Sequence, residues 1–253
     1  MMSFGRRLRS KLLGNLFGLE SRKYKDSKIN SYYDNKGLSK RDIKKGLHRK
    51  NVGGMWEEIG KLQFSFLIEQ GLAPDMKFLD LGCGSLRGGI HFINYLEPGN
   101  YYGMDVNAPL VEAGYNIELK KAGLTHKLPK TNLILENQFK TSRFGILFDY
   151  ALAVSVFTHL PLNHIRLCFI ELSKSMKSGG KFYATFFECP DRVPIEQKIE
   201  HQPGGVVTNI EQDPYHYKRS DFLWCIEGLS WKMQYIGDWN HPRAQKMVCF
   251  TKI

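Results

Sequence analysis

Two hydrophobic periods organise the chain. Beyond Met76, short apolar runs near 76–81, 100–105, 131–136, 148–155, 179–187, 230–237 and 246–252 read as strands. Between them, stretches near 87–96, 109–122, 161–177 and 218–228 carry apolar residues at helical spacing. Strands alternating with helices predict an α/β fold, a mostly parallel sheet with helices on both faces. The last two runs are split only by Asp238-Trp-Asn-His-Pro242, which predicts a hairpin and so a terminal antiparallel strand. Ahead of the first strand, Trp56, Ile59, Leu62, Phe64, Phe66, Leu67 and Ile68 predict one more helix, stopping near Gly71.

The N-terminal fifth has a different pattern. Residues 1–19 hold no acid, and Phe4, Leu8, Leu12 and Leu16 recur every four positions with Arg6, Arg7, Arg9 and Lys11 mostly off that face. This predicts a basic amphipathic helix over 4–17, of the kind that lies on anionic membrane surfaces. A removable targeting segment and a frayed end share the same look. Residues 20–50 read as a polar linker with one short helix. Charge sharpens the boundary: residues 1–50 hold 15 Lys/Arg against 4 Asp/Glu, the whole net +11 of the chain. The division is therefore a basic extension, 1–50, and a neutral domain, 51–253, whose surface gives no reason to expect nucleic acid. No apolar run approaches the ~20 residues of a membrane span. Five scattered cysteines without a C-x-x-C pair predict reduced, buried thiols and no zinc site, as in a cytoplasmic protein.

Chemistry concentrates at Lys77-Phe-Leu-Asp-Leu-Gly-Cys-Gly-Ser-Leu-Arg-Gly-Gly89 and Tyr101-Tyr-Gly-Met-Asp-Val-Asn107. Each is a strand ending in an acid, Asp80 and Asp105, and a glycine turn follows the first. Arg87 stands where a dinucleotide fingerprint needs its third glycine, and no Gly-Lys-Ser/Thr follows for a P-loop. A carboxylate at the mouth of the loop repels a pyrophosphate but suits an ammonium or sulfonium. Leu79-Asp-Leu-Gly-Cys-Gly84 followed by Gly-Met-Asp105 resembles the first two motifs of class I S-adenosylmethionine (SAM)-dependent methyltransferases, with Leu86 in place of that loop's third glycine.

The resemblance covers about Val52 to Ile253. It implies a Rossmann-like sheet, SAM as cofactor and no metal. On this pattern Asp80, Gly82, Cys83, Gly84, Asp105, Val106, Asn107, Asn137, Gln138 and Ser155 are expected to bind the cofactor, with Asp105 on the ribose and Asn137 and Gln138 at the adenine edge. Val156-Phe-Thr-His159 follows the fourth strand, where the methyl leaves, so His159 is a candidate base and Phe157 an acceptor contact. Residues 188–217, rich in proline, form an insertion expected to cover the acceptor, with His216 a second candidate base and Tyr215 and Tyr217 acceptor contacts. His241 and Arg243, in the terminal turn, are further candidates.

Missing motifs narrow the reaction. The chain has no Asn/Asp-Pro-Pro-Tyr/Phe, no Pro-Cys and no Asp-Ala-x-Lys, which disfavours amino-adenine, cytosine-C5 and metal-assisted catechol methylation. The expected activity is methyl transfer to a small-molecule acceptor, preferably a hydroxyl of a sugar or glycolipid, by a cytoplasmic enzyme able to sit at the inner membrane face. An RNA or ribosome methyltransferase using the basic arm, and a non-catalytic SAM-binding subunit, are the alternatives.

Overall fold

The computed structural model describes residues 37–253. The helix expected over 4–17 lies outside the described residues. The described part opens with α1 (Lys40–Lys44), α2 (Leu47–Asn51) and α3 (Trp56–Glu69). Strands β1 (Phe78–Leu81), β2 (Tyr101–Asp105), β3 (Leu133–Leu135) and β4 (Phe148–Ala153) follow, with α4 (Gly89–Tyr95) and α5 (Ala108–Ala113) between them. Then come α6 (Leu162–Leu172), β5 (Met176–Glu188), the pair β6 (Ile199–His201) and β7 (Val206–Thr208), and β8 (His216–Tyr217). The chain ends with α7 (Arg219–Ile226), β9 (Trp231–Gly237) and β10 (Lys246–Lys252).

The sheet runs β3-β2-β1-β4-β5-β10-β9. Its first five strands are parallel, and β10 is antiparallel to both β5 and β9, as the hairpin pattern requires. Strand order reverses between β1 and β4, and in open α/β sheets ligands bind at the carboxyl ends beside that point.

Alternation along the strands builds two cores, because successive side chains leave a strand on opposite faces. Leu79 and Leu81, Ala151 and Ala153, Phe182, Ala184 and Phe186, and Val248 and Phe250 pack with Ile165, Cys168, Phe169 and Phe222 of α6 and α7. The intervening Phe78, Tyr150, Leu152, Tyr183, Met247 and Cys249 pack with Phe66 and Leu67 of α3 and Phe92 and Ile93 of α4. All five cysteines are buried and unbridged.

Four boundaries differ from the sequence pattern. The helix expected over 161–177 stops at Leu172. Met176 continues its buried i, i+4 series but already belongs to β5, beside Phe148. The helix expected over 109–122 widens into a π-turn at Gly114–Leu119. Gly114 lies where a Cβ would sit 2.9 Å from the Ser85 carbonyl carbon and from Leu86, so the helix presses directly on the glycine loop. The insertion 188–217 is not irregular throughout: it holds the β6–β7 hairpin, and β8 extends β5 in parallel. Residues 37–50 hold two short helices, and α2 packs on the domain ahead of residue 51. His48 is buried, its Nε2 2.6 Å from Glu118 Oε1, and Arg49 makes bonds of 2.8 and 2.6 Å to the same carboxylate.

Candidate active site

A cavity of about 460 Å³ lies over the carboxyl ends of β1, β2, β4 and β5. Its floor is the glycine loop. Gly82 and Cys83 donate their N–H groups to Met104 O at 2.8 and 3.1 Å, which ties the loop to β2. Gly82 has φ +74°, and a Cβ there would stand 2.5 Å from Val156 Cγ2, so only glycine fits. Leu86, where the family's third glycine would stand, adopts φ +67° and keeps the glycine backbone with a fully buried side chain.

Two carboxylates define one half of the cavity. Asp105 accepts from Gly84 N–H and Asn107 N–H, both at 2.8 Å, which fixes it at the end of β2. Asn107 also caps α5 through Leu110 N–H at 3.1 Å. Asp80 is 6% exposed and accepts from the Tyr101 hydroxyl at 2.7 Å. Burial pushes its carboxyl up to about 7; Asp105 adds to the rise, while Tyr101 and Arg87 oppose it.

The other half is lined by β4, β5, the insertion and the terminal hairpin. Ser155 turns the chain at φ +59°, a strained conformation for a non-glycine residue, and donates its N–H to Thr185 Oγ1 at 2.8 Å. His159 Nδ1 lies 3.2 Å from Asp213 Oδ2 of the insertion. The same two segments are joined by Tyr215 N–H to Thr158 O at 2.7 Å. Phe187, Val206 and Pro214 give this half apolar walls.

Residues 51–54 close over the loop. Arg87 donates to Val52 O at 2.8 Å and to Gly54 O at 3.1 Å, and Arg243 donates to Gly53 O. Val52 packs on Gly84, where a Cβ would come within 2.8 Å of Val52 Cγ1. Trp56 does not reach the cavity; it stacks under Arg49, whose guanidinium is 4.7 Å from the ring centroid.

Of the residues expected from sequence, Asp80, Gly82, Cys83, Gly84, Asp105, Val106, Asn107, Asn137, Ser155, His159 and Arg243 line this cavity. Gln138 lines a shallow depression beside it, with Asn137, Lys140 and Arg143. Five others are elsewhere, each for a packing reason. Phe157 is fully buried between Phe169, Phe182 and Phe222. His216 is buried in β8, Nδ1 against Thr208 Oγ1 at 2.7 Å and Nε2 against Ile195 O at 2.8 Å. Tyr217 donates to Leu160 O inside the core, and Tyr215 packs at the edge of that cluster. His241 stacks on Trp239; burial, then Arg87 and Arg243, lower it to about 3, so it is neutral.

Sequence reasoning passed over Asn51–Gly53, Gln63, Arg87, Glu136, Asp213 and Gln245, all in the cavity wall. Glu136 had a signal, being the acid at the end of β3. Burial raises its carboxyl, but the Gln138 N–H and Arg143 outweigh burial and hold it below the ordinary value.

These residues fit SAM. A carboxylate at the end of β2 suits ribose hydroxyls, exposed Val106 offers an apolar surface next to it, and Asp80 suits a cation. Asn51 Nδ2 is sealed in the wall with no hydrogen-bond partner among the described residues, which a bound polar ligand would relieve. Among the described residues no group of His, Cys, Asp and Glu is placed to hold a metal.

The family model described as a methyltransferase domain matches residues 79–182. Solved structures share the fold at low identity. The magnesium protoporphyrin IX methyltransferase of Synechocystis PCC 6803, determined with bound SAM, is 12% identical, with 88% of each chain covered and a TM-score of 0.54. A SAM-dependent methyltransferase from Clostridium acetobutylicum ATCC 824 is 10% identical over 84% of this chain and 98% of that one, TM-score 0.58. The CcbJ methyltransferase of Streptomyces caelestis is 13% identical over 80% and 98%, TM-score 0.56. The glycine loop and the first acid-ended strand thus lie in a segment that matches a methyltransferase domain, on a fold shared with SAM-dependent methyltransferases, terminal antiparallel hairpin included.

Proposed function

We propose that this protein methylates a hydroxyl of a small-molecule acceptor, of the sugar or glycolipid class, with His159 as the base. The observation that carries the reading is the His159–Asp213 pair at 3.2 Å in the wall of the cavity, one short turn beyond Ser155 at the end of β4. SAM supplies a methyl group activated by its sulfonium and open to in-line displacement. Asp80 and Asp105 hold the cofactor half of the cavity, which leaves Phe187, Val206 and Pro214 for the acceptor body. An alcohol must shed its proton as it attacks, and an imidazole is suited to take it near neutral pH. Asp213 on Nδ1 would orient the ring and stabilise the imidazolium that forms. Positioning does the rest, because charge is neutralised rather than created in the transition state.

The test is transfer of labelled methyl from SAM to a panel of glycosides and lipid-linked sugars, with wild type and His159→Asn compared. Transfer by wild type and a loss of roughly 10²-fold in the variant, at unchanged affinity for S-adenosylhomocysteine (SAH), is the expected result. Transfer to nitrogen or carboxyl acceptors instead would displace the hydroxyl reading.

A further inference from the structure

We infer that Gln245 is a specificity-determining residue that donates a hydrogen bond to a second oxygen of the acceptor. This rests on the reading of the cavity as a hydroxyl methyltransferase site and names what the acceptor must carry beyond the reacting hydroxyl.

Gln245 stands just before β10 and is 3% exposed, with its side chain in the cavity wall. Its backbone is fixed by Trp239 Nε1, which donates to Gln245 O at 3.0 Å. Its side-chain oxygen accepts from Thr185 Oγ1 at 2.7 Å and from Ser155 Oγ at 3.1 Å. Proton counting sets the direction. The Thr185 hydroxyl and the Ser155 hydroxyl each carry one proton, and among the described residues neither has another acceptor than Gln245, so both protons go there. Two donated protons converge on one atom, which must be the amide oxygen. The NH₂ group is therefore turned the other way. Among the described residues it meets no acceptor, and it is not one of the sealed polar atoms, so it opens on the cavity.

A fixed amide donor in a buried wall carries a desolvation cost until an oxygen meets it. Its place assigns the oxygen to the acceptor rather than the cofactor. The cofactor carboxylates belong to β1 and β2, whereas Gln245, Thr185 and Ser155 belong to β10, β5 and the end of β4, on the far side of β1 in the sheet. His159, Phe187 and Val206 line the same half of the cavity. An NH₂ group only donates, so the partner is a hydroxyl or carbonyl oxygen. One hydroxyl at His159, a second oxygen at Gln245 and apolar walls describe an oxygenated ring, such as a monosaccharide unit.

Calorimetry of the full chain loaded with SAH tests this, with methyl glycosides carrying all ring hydroxyls and their deoxy counterparts as probes. Wild type should bind one glycoside at least tenfold tighter than a deoxy counterpart. Gln245→Leu should erase that preference while SAH affinity stays within twofold of wild type. Gln245→Glu, which keeps an oxygen for Ser155 and Thr185 but removes the donor, should erase it as well. Three results would overturn the proposal: a preference that survives both substitutions, a tenfold loss of SAH affinity in Gln245→Leu, or no glycoside bound by wild type. Labelled methyl transfer to the bound glycoside separates the two readings. A preference that depends on Gln245 without transfer supports the amide contact and removes the hydroxyl-methylation reading.

Discussion

The Tyr101 hydroxyl donates to Asp80 at 2.7 Å across the floor of the cavity, and both side chains are buried on the face of the sheet that α3 and α4 cover. That bond keeps an otherwise desolvated carboxyl within reach of ionisation, at about 7 rather than higher. An ammonium ligand binds the ionised form, so below pH 7 binding must expel a proton. SAH affinity should rise with pH, up to about tenfold per unit, and level off above pH 7. Tyr101→Phe should move that plateau to higher pH. Calorimetry between pH 5.5 and 8.5 decides it; a flat profile in wild type would remove Asp80 from ammonium recognition.

The same carboxyl should cost stability when no ligand is bound. Its folded value, about 7, lies above the ordinary 3.8, so the unfolded chain gives up this proton first. Stability present below pH 4 is then lost as pH rises to 7. Asp80→Asn should melt higher than wild type at pH 8 without ligand, by about 2–4 °C for each kcal/mol recovered, and bind SAH more weakly. Equal melting temperatures at pH 8 would show that the burial is not felt.

His159 and His216 separate cleanly. His159→Asn should lose roughly 10²-fold in turnover, and Asp213→Asn about tenfold, each keeping SAH affinity. In His216→Asn the expected loss is in melting temperature, because the Thr208 and Ile195 bonds it breaks are inside the insertion. Turnover that depends on His216 but not on His159 would reverse the assignment.

The fold and the β1–β2 half of the cavity were legible because both are local. Period-two strands and the spacing from Gly82 to Asp105 need no knowledge of the insertion. The half lined by β4, β5, the insertion and the terminal hairpin was not, because it is assembled from distant segments. Asp213 meets His159 across 54 positions, and Gln245 meets Ser155 across 90. His216 and Tyr217 looked chemical because they are polar and aromatic in an insertion, yet β8 folds them inward. Met176 extended a helical period that had already ended, since an apolar residue serves a strand as well as a helix.

Leu86 gives a further test of the loop. Its φ of +67° costs about 1–3 kcal/mol, and glycine would remove that strain. Its side chain is fully buried, and emptying such a site costs about 3–5 kcal/mol. Burial wins: Leu86→Gly should lower stability by a net of about 2 kcal/mol, read by urea unfolding, while SAH affinity changes less than threefold because the backbone path is kept. A large loss of affinity would show that the side chain, not the path, shapes the floor.

The basic extension can be cut at one place and not at another. Charge alone places the boundary after residue 50, but α2 and Asn51–Gly54 belong to the domain. Glu118 bonds both His48 and Arg49, Arg49 stacks on Trp56, and Arg87 and Arg243 hold the carbonyls of residues 52–54 against the glycine loop. We propose that residues 1–20 attach the protein to anionic membrane surfaces. Removal of residues 1–36 should then abolish sedimentation with anionic vesicles and leave SAH affinity within twofold. Removal of residues 1–51 should weaken SAH binding by tenfold or more, because it takes away Asn51 and frees the segment that covers Gly84. Glu118→Gln makes the milder version of the second change, keeping the shape while removing the charge that Arg49 and His48 bind. It should lower stability by about 1–3 kcal/mol and speed SAH release in stopped flow. Vesicle binding that survives loss of residues 1–36 would assign attachment to the folded domain. SAH affinity that survives loss of residues 1–51 would show that the cover over the loop is not part of the cofactor site.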